Sequence, residues 1–176
     1  FLGTYNRLKL LQKVIDSVVR GTKCDYELIV FDGGSTDGTV EYLKNNSHVT
    51  SIFQGQLYGI IKAYNMVWRT VDTEYSCWLS DDTELVEGGL DLALQILEHD
   101  GDIGMVGLKT KDTVGMYRNQ PYNGGLSEYG VLNCNHGVLR TELARHVGYF
   151  NEDYTSYMMD PDLTASILSL GKAVVM

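Results

Sequence analysis

Long apolar runs, a cysteine framework and an excess of positive charge are all missing from this 176-residue sequence, and each absence removes a class of protein. No apolar run approaches the roughly 18 residues of a membrane-spanning helix, and the opening residues do not read as a secretory signal. Three cysteines, Cys24, Cys77 and Cys134, are odd in number and far apart. That excludes a disulfide framework and a zinc site spaced Cys-x-x-Cys, and leaves buried thiols of a reducing compartment. Basic side chains number 14 against 23 acidic ones, for a formal charge of −9, so no basic stripe exists to displace counterions from a nucleic acid. Acidity does not exclude a phosphate-bearing substrate, because a bound divalent cation reverses the local sign. Repeats, low-complexity tracts and linkers are absent too. With 44% hydrophobic and 21% charged residues, the composition is ordinary and the length suits one domain with a substantial core.

What is present is an alternation. Phe1–Gly3 reads as the last part of a strand, and Thr4-Tyr5-Asn6 as a polar turn. Leu8, Leu11, Ile15, Val18 and Val19 recur at helical spacing, and Gly21 ends that helix. Tyr26–Phe31 is a continuous apolar run, typical of a strand buried on both faces of a parallel sheet. A short helix follows from Val40 to Lys44, then a strand over Val49–Phe53 and a helix carrying Ile60, Tyr64, Val67, Trp68 and Val71. The strand from Tyr75, a helix faced by Leu90, Ala93, Leu94 and Leu97, and a strand over Ile103–Leu108 continue the series. This order predicts an α/β fold, a mostly parallel open sheet with helices on both faces. Periodicity lapses from Lys109 to Gly130, where a long loop reads either as a lid or binding loop or as a disordered excursion. Val131–Val138 is strand-like, Thr141–Val147 and Pro161–Leu170 are helical, and Ala173–Met176 is a strand cut short. The stubs at both ends lead to the expectation of a single domain over 1–176 that is a fragment truncated at both ends.

Three places carry chemistry. The stretch Tyr75–Leu85 opens apolar and β-prone and stops in Asp81, Asp82 and Glu84. A buried strand ending in carboxylates delivers hard oxygen ligands to the carboxyl edge of a sheet, where open α/β sheets bind ligands. Mg²⁺ or Mn²⁺ takes a few carboxylates plus substrate phosphates. The same acids equally suit a helix start near Glu87, Asp81 or Asp82 as cap and Glu84 favoured by the dipole. The second place is Asp32 at the tip of a buried run, followed by Gly33 and Gly34, which let backbone approach a ligand closely. The run Gly33-Gly34-Ser35-Thr36-Asp37-Gly38 is out of register with Gly-x-Gly-x-x-Gly, and no Gly-Lys-Ser/Thr phosphate loop exists. Phosphoryl transfer at Asp32 on the haloacid-dehalogenase pattern would need a second acid at Gly34. The third place is Met158-Met159-Asp160-Pro161-Asp162-Leu163, where Asp160 before Pro161 matches an N-cap with proline at the first helical position. A cap carboxylate can still act as a base if its other oxygen faces a cleft. Cys134-Asn135-His136, inside a strand-like run, reads as core packing ahead of a metal or nucleophile site.

Taken in chain order, the Asp32 loop, the acidic stretch and the Asp160 motif resemble the family 2 glycosyltransferases, inverting enzymes of the Rossmann-like nucleotide-diphospho-sugar transferase (GT-A) fold. Thr4-Tyr5-Asn6-Arg7 resembles the family's Pro-Thr-Tyr-Asn-Arg, with Gly3 at the proline, and Asp32-Gly33-Gly34-Ser35-Thr36-Asp37-Gly38-Thr39 resembles Asp-Asp-Gly-Ser-x-Asp-Gly-Thr closely. Gly59 through Asn65 stands at the family's Gly-x-x-x-Ala-x-Asn helix start. Ser80-Asp81-Asp82 resembles the Asp-x-Asp metal motif with serine first, and Gly148-Tyr149-Phe150-Asn151-Glu152 resembles Gly-Gly-Phe-Asp-Glu. Met159-Asp160-Pro161-Asp162-Leu163 resembles Glu-Asp-x-Asp-Leu, with methionine at the first acid, and Gly171-Lys172 the small loop after it. The resemblance implies sugar transfer from a nucleotide-diphosphate donor to an acceptor hydroxyl with inversion, assisted by Mg²⁺ or Mn²⁺, in glycan or polysaccharide synthesis. By it, Asp32 holds the uracil or ribose of the donor, Thr4 and Asn6 lie near the base, and Asp81 and Asp162 contact substrate. Asp82 binds the metal with Glu84 or Asp81, and Asp160 is the general base. The implied partners are the donor and a carbohydrate or lipid-linked acceptor, in the cytoplasm or at the inner face of the membrane. Met159 and Ser80 keep a second reading open, a non-catalytic nucleotide-sugar or carbohydrate-binding module with the same fold.

Overall fold

The apolar run ahead of Asp32 forms strand β2 (Ile29–Asp32), buried at every position, because both of its faces are covered by helices. The computed structural model describes residues 1–115, 118–120, 125–126 and 130–176. Before β2 come β1 (Leu2–Thr4) and α1 (Leu8–Gly21), and after it α2 (Thr39–Lys44), β3 (Thr50–Phe53), α3 (Ile60–Thr70) and β4 (Tyr75–Ser80). Next are α4 (Gly89–His99), β5 (Ile103–Gly107), β6 (Gly125–Leu126), β7 (Leu132–Asn133) and β8 (Gly137–Arg140). The chain closes with α5 (Thr141–His146), α6 (Met159–Ser169) and β9 (Ala173–Val175). A seven-stranded open sheet runs β3-β2-β1-β4-β8-β5-β9, and β6 and β7 pair in a separate ribbon.

Alternate residues of each strand enter opposite cores, as a two-residue period requires. Ile29 and Phe31 of β2 face one side with Trp78, Met105 and Leu139, together with Tyr64, Trp68, Leu163 and Ile167 from α3 and α6. Val30 faces the other, with Leu11, Val14, Ile15 and Val18 of α1, and α4 continues that layer through Ala93 and Leu97 against Val106 and Val138. The first core is built around rings: Trp68 lies 4.7 Å from Phe150, and Trp78 meets Phe150 edge-on at 5.5 Å. Among the described residues no helix is long and apolar enough to cross a membrane.

Two expectations need correction. The strand-like run Val131–Val138 is two strands in different sheets, and β8 lies antiparallel to both β4 and β5. The break falls at Cys134–His136, where the Trp78 indole donates to the carbonyl of Asn135 and Leu108 N–H donates to that of His136. Apolar patterning carries no strand direction, so nothing in it could mark the reversal. The last helix starts earlier than Pro161. Met158 is its cap residue with φ 73°, so Asp160 is the second helical residue and Pro161 the third, where a missing N–H is tolerated. Much of the Lys109–Gly130 loop, residues 116–117, 121–124 and 127–129, lies outside the described residues.

Candidate active site

From β1 the chain builds outward through β2 and β3 on one side, then crosses to β4 on the other. The strand order therefore reverses between β1 and β4, and a crevice opens at their carboxyl ends. Thr4 closes β1 and Asp81 follows β4. The Thr4 hydroxyl donates to Asp81 Oδ2 at 2.8 Å across the crevice. One nitrogen of Arg7, Nη1, donates to Asp81 Oδ1 and to Asp82 Oδ2, at 3.0 Å each. Asp81 is 7% exposed. Burial raises its pKa, and the opposing pull of Thr4 and Arg7 does not cancel that. Asp82 and Arg7 are half-exposed.

The Asp32 loop is closed by its own side chains. Asp32 Oδ2 accepts from Gly34 N at 2.9 Å and Ser35 N at 3.0 Å. Gly34 has φ +92°, and a Cβ there would lie 2.8 Å from the Gly55 carbonyl oxygen, so only glycine fits that corner. Asn6 pins the loop to β1: its N–H donates to Ser35 Oγ and its Oδ1 accepts from Thr36 N, both at 2.8 Å. Asp37 accepts from Leu8 N at 3.0 Å and from the Thr39 hydroxyl. It thereby caps α1, whose own cap residue, Arg7, makes no side-chain cap bond. Beside this loop lies a cavity of about 260 Å³ walled by Thr4, Arg7, Phe31, Leu57, Ile60 and Asp81. Asp32, 1% exposed, sits behind that wall, whereas Gly33 is part of it. A cavity of similar size at the amino ends of β1, β2 and β4 contains none of the candidate site residues.

Because α6 leads back to β9, which runs parallel to β5, its first turn starts at the same sheet edge as the crevice. Asp160 is in that turn. Its Oδ1 is buried and has no hydrogen-bond partner among the described residues, and burial lifts its pKa to about 7. Tyr64 ties the two acidic places together. Its buried hydroxyl donates to the Leu79 carbonyl at 2.6 Å, and its phenol feels the charges of both Asp81 and Asp160. Asp162 shares the first turn of α6 and is partly exposed. Glu84 takes another direction, toward α1, where it lies 3.8 Å from Lys13 Nζ.

Three participants were not assigned roles by the sequence. Arg7 was visible only as part of a motif, although a cation in the turn after β1 and acids after the neighbouring strand must face each other. His136, 6% exposed, joins the Asp82 turn to β8: its Nε2 lies 3.0 Å from the Thr83 hydroxyl, and burial holds its pKa down near 4. Asn65 is wholly buried, and its amide spans to both backbone groups of Phe150, at 2.8 and 3.0 Å, and to Glu152 Oε1 at 3.0 Å. Glu152 also pairs with Arg69 at 2.8 Å. The segment leading to Asp160 is thus fastened to α3.

Among the described residues no three His, Cys, Asp or Glu side chains gather as a ready cation cage. The Asp81–Asp82 pair nonetheless fits a hard divalent ion of the kind that takes one or two carboxylates and completes its shell from phosphates. The observation behind that fit is Arg7 Nη1, a positive group already received by one oxygen from each carboxylate.

An open α/β sheet offers a ligand crevice at its switch point, and here an acidic turn borders it. The family model described as glycosyl transferase family 2 matches residues 1–159, and the chain belongs to that family. No curated protein matches it. Among solved structures it is similar to the mannosyltransferase PcManGT from Pyrobaculum calidifontis in complex with GDP-Man and Mn²⁺, at 20% identity and TM-score 0.78, over 99% of this chain and 52% of that one. It is likewise similar to S. aureus TarS 1–349 in complex with UDP, at 19% identity and TM-score 0.77, over 100% and 56%. The complex of TarS 1–349 with UDP-GlcNAc aligns at 20% identity and TM-score 0.75, over 99% and 54%. The fold is that of the GT-A glycosyltransferases, and the chain spans about half the length of these structures.

Proposed function

We propose that this chain transfers a sugar from a nucleotide-diphosphate donor to an acceptor hydroxyl with inversion at the anomeric carbon. The observation that carries the proposal is Asp160, a buried carboxylate whose Oδ1 has no hydrogen-bond partner among the described residues and whose pKa is raised to about 7, on the same sheet edge as Asp81 and Asp82. A base poised near neutrality both takes a proton readily and is ionised often enough to do so. Asp160 receives the proton of the attacking hydroxyl. The cavity beside the Asp32 loop receives the nucleoside, with Thr4 in its wall, Asn6 fastening the loop beside it and Asp32 holding the turn in shape. Asp82 and Asp81 would hold Mg²⁺ or Mn²⁺, and Asp162 borders the acceptor side. When bound, the cation supplies positive charge to the departing diphosphate. The complexes of PcManGT and TarS support this reading, since those proteins bind GDP-Man with Mn²⁺, UDP and UDP-GlcNAc.

The test is transfer and donor hydrolysis with GDP- and UDP-sugars in the presence of Mn²⁺, for the wild type and Asp160→Asn. Removing a general base costs on the order of 10²- to 10⁴-fold in turnover, while calorimetry should show donor affinity within about threefold of wild type. Near-normal turnover in Asp160→Asn would remove the base assignment. Donor binding without turnover in the wild type would instead make the chain a nucleotide-sugar-binding module.

A further inference from the structure

The contact that the sugar-transfer reading does not use is the one made by Arg7. We infer that Arg7 is an internal counter-ion for the Asp81–Asp82 pair, which the divalent cation must displace, so that the nucleotide-free protein binds the cation weakly. The inference rests on the proposed metal site and concerns what this chain does there before donor arrives.

The argument is geometric. A single nitrogen of Arg7 is 3.0 Å from Asp81 Oδ1 and 3.0 Å from Asp82 Oδ2, so both carboxylates turn an oxygen to the same positive centre. Two cations cannot share that position, because like charges repel at such range. Asp81 is held from its other oxygen by Thr4 and cannot turn away without losing that bond. Asp82 and Arg7 are each half-exposed, so Arg7 has room to leave. The Arg7 backbone is fixed where it stands. Its carbonyl starts α1 by accepting from Leu10 and Leu11 N–H, and its neighbour Asn6 is tied to Ser35 and Thr36. The guanidinium therefore swings from a stationary base, and only Nη1 of its donors is engaged with the acids. The remaining N–H groups of a guanidinium suit a diphosphate. Donor arrival gives Arg7 another anion to hold, which makes cation and donor binding cooperative.

The experiment measures Mn²⁺ affinity of the whole chain by calorimetry and by the spectroscopic signal of free Mn²⁺, without nucleotide and with UDP or GDP. Without nucleotide, Arg7→Met and Arg7→Gln should bind Mn²⁺ about five- to tenfold more tightly than wild type, the factor carried by two ion pairs of a half-exposed guanidinium. Arg7→Lys keeps the charge and should stay within about twofold of wild type. In the wild type, titration with Mg²⁺ should shift the Arg7 side-chain N–H resonance. Unchanged Mn²⁺ affinity in both neutral variants, or an Arg7 resonance unmoved at saturating Mg²⁺, overturns the inference and leaves the sugar-transfer reading standing. Absence of Mn²⁺ binding in every variant, with UDP or GDP present, overturns both.

Discussion

Asp160 offers a stability measurement that needs neither donor nor acceptor. Its carboxyl is lifted from 3.8 to about 7 by burial, and at about 1.4 kcal/mol for each pH unit the ionised side chain costs the folded state about 4 kcal/mol. Below pH 3.8 the folded and unfolded chains are both protonated and the cost vanishes. Between 3.8 and 7 the unfolded chain releases its proton while the folded one keeps it, so stability falls as pH rises. Above 7 the full cost is present. Asp160→Asn removes the titration. The variant should exceed the wild type by about 2 kcal/mol at pH 5 and about 4 kcal/mol at pH 8. For a chain of this size that widening of the gap corresponds to about 5–10 °C in Tm. Thermal and urea unfolding of both proteins at pH 5, 6.5 and 8 read it directly. A gap that stays constant across those pH values would refute the claim that Asp160 is held in an environment hostile to its charge. Loss of turnover alongside gain of stability is the signature of a residue kept for chemistry.

Asn65→Ala leaves the N–H and C=O of Phe150 without their partner inside the core, at about 1–3 kcal/mol for each buried group; a drop of about 3 kcal/mol in urea unfolding is expected, and less than 1 would show that the segment holds without α3. Asp82→Asn should abolish the nucleotide-dependent Mn²⁺ binding measured by calorimetry, whereas Glu84→Gln, which among the described residues loses an exposed contact to Lys13, should change that affinity less than about twofold. A large effect of Glu84→Gln would put that side chain back among the ligands.

The parts of this molecule written in local sequence were legible, and the parts decided by distant packing were not. Layer order could be read because each strand run and each helical stripe is local: Leu11, Ile15 and Val18 share a face whatever surrounds them. The acids after β4 could be placed at a sheet edge because a buried strand must end somewhere polar. What escaped was pairing. Nothing around Cys134 to His136 announces that β8 enters the sheet against its neighbours; that follows from Trp78 reaching Asn135 and from Gly137 fitting beneath the Trp78 ring, where a Cβ would lie 3.0 Å away. Asp160 before Pro161 matches a helix cap as well as a base, and the left-handed backbone at Met158 is what sets the helix start two residues ahead of Pro161. Asn65 stands in the Gly-x-x-x-Ala-x-Asn pattern, which names no partner for it, and the backbone it binds is 85 residues away in the chain.

The reversed strand has a consequence for how such a domain can vary. Val106 pairs with Val138 and Gly107 with Gly137, so the chain leaves the sheet and rejoins it at one rung on the crevice side. The connection between Gly107 and Gly137 begins and ends at one doorway, and doubling its length adds only about 0.6 kcal/mol of closure entropy. A change of length between these ends therefore leaves the pairing of β5 with β8 in register.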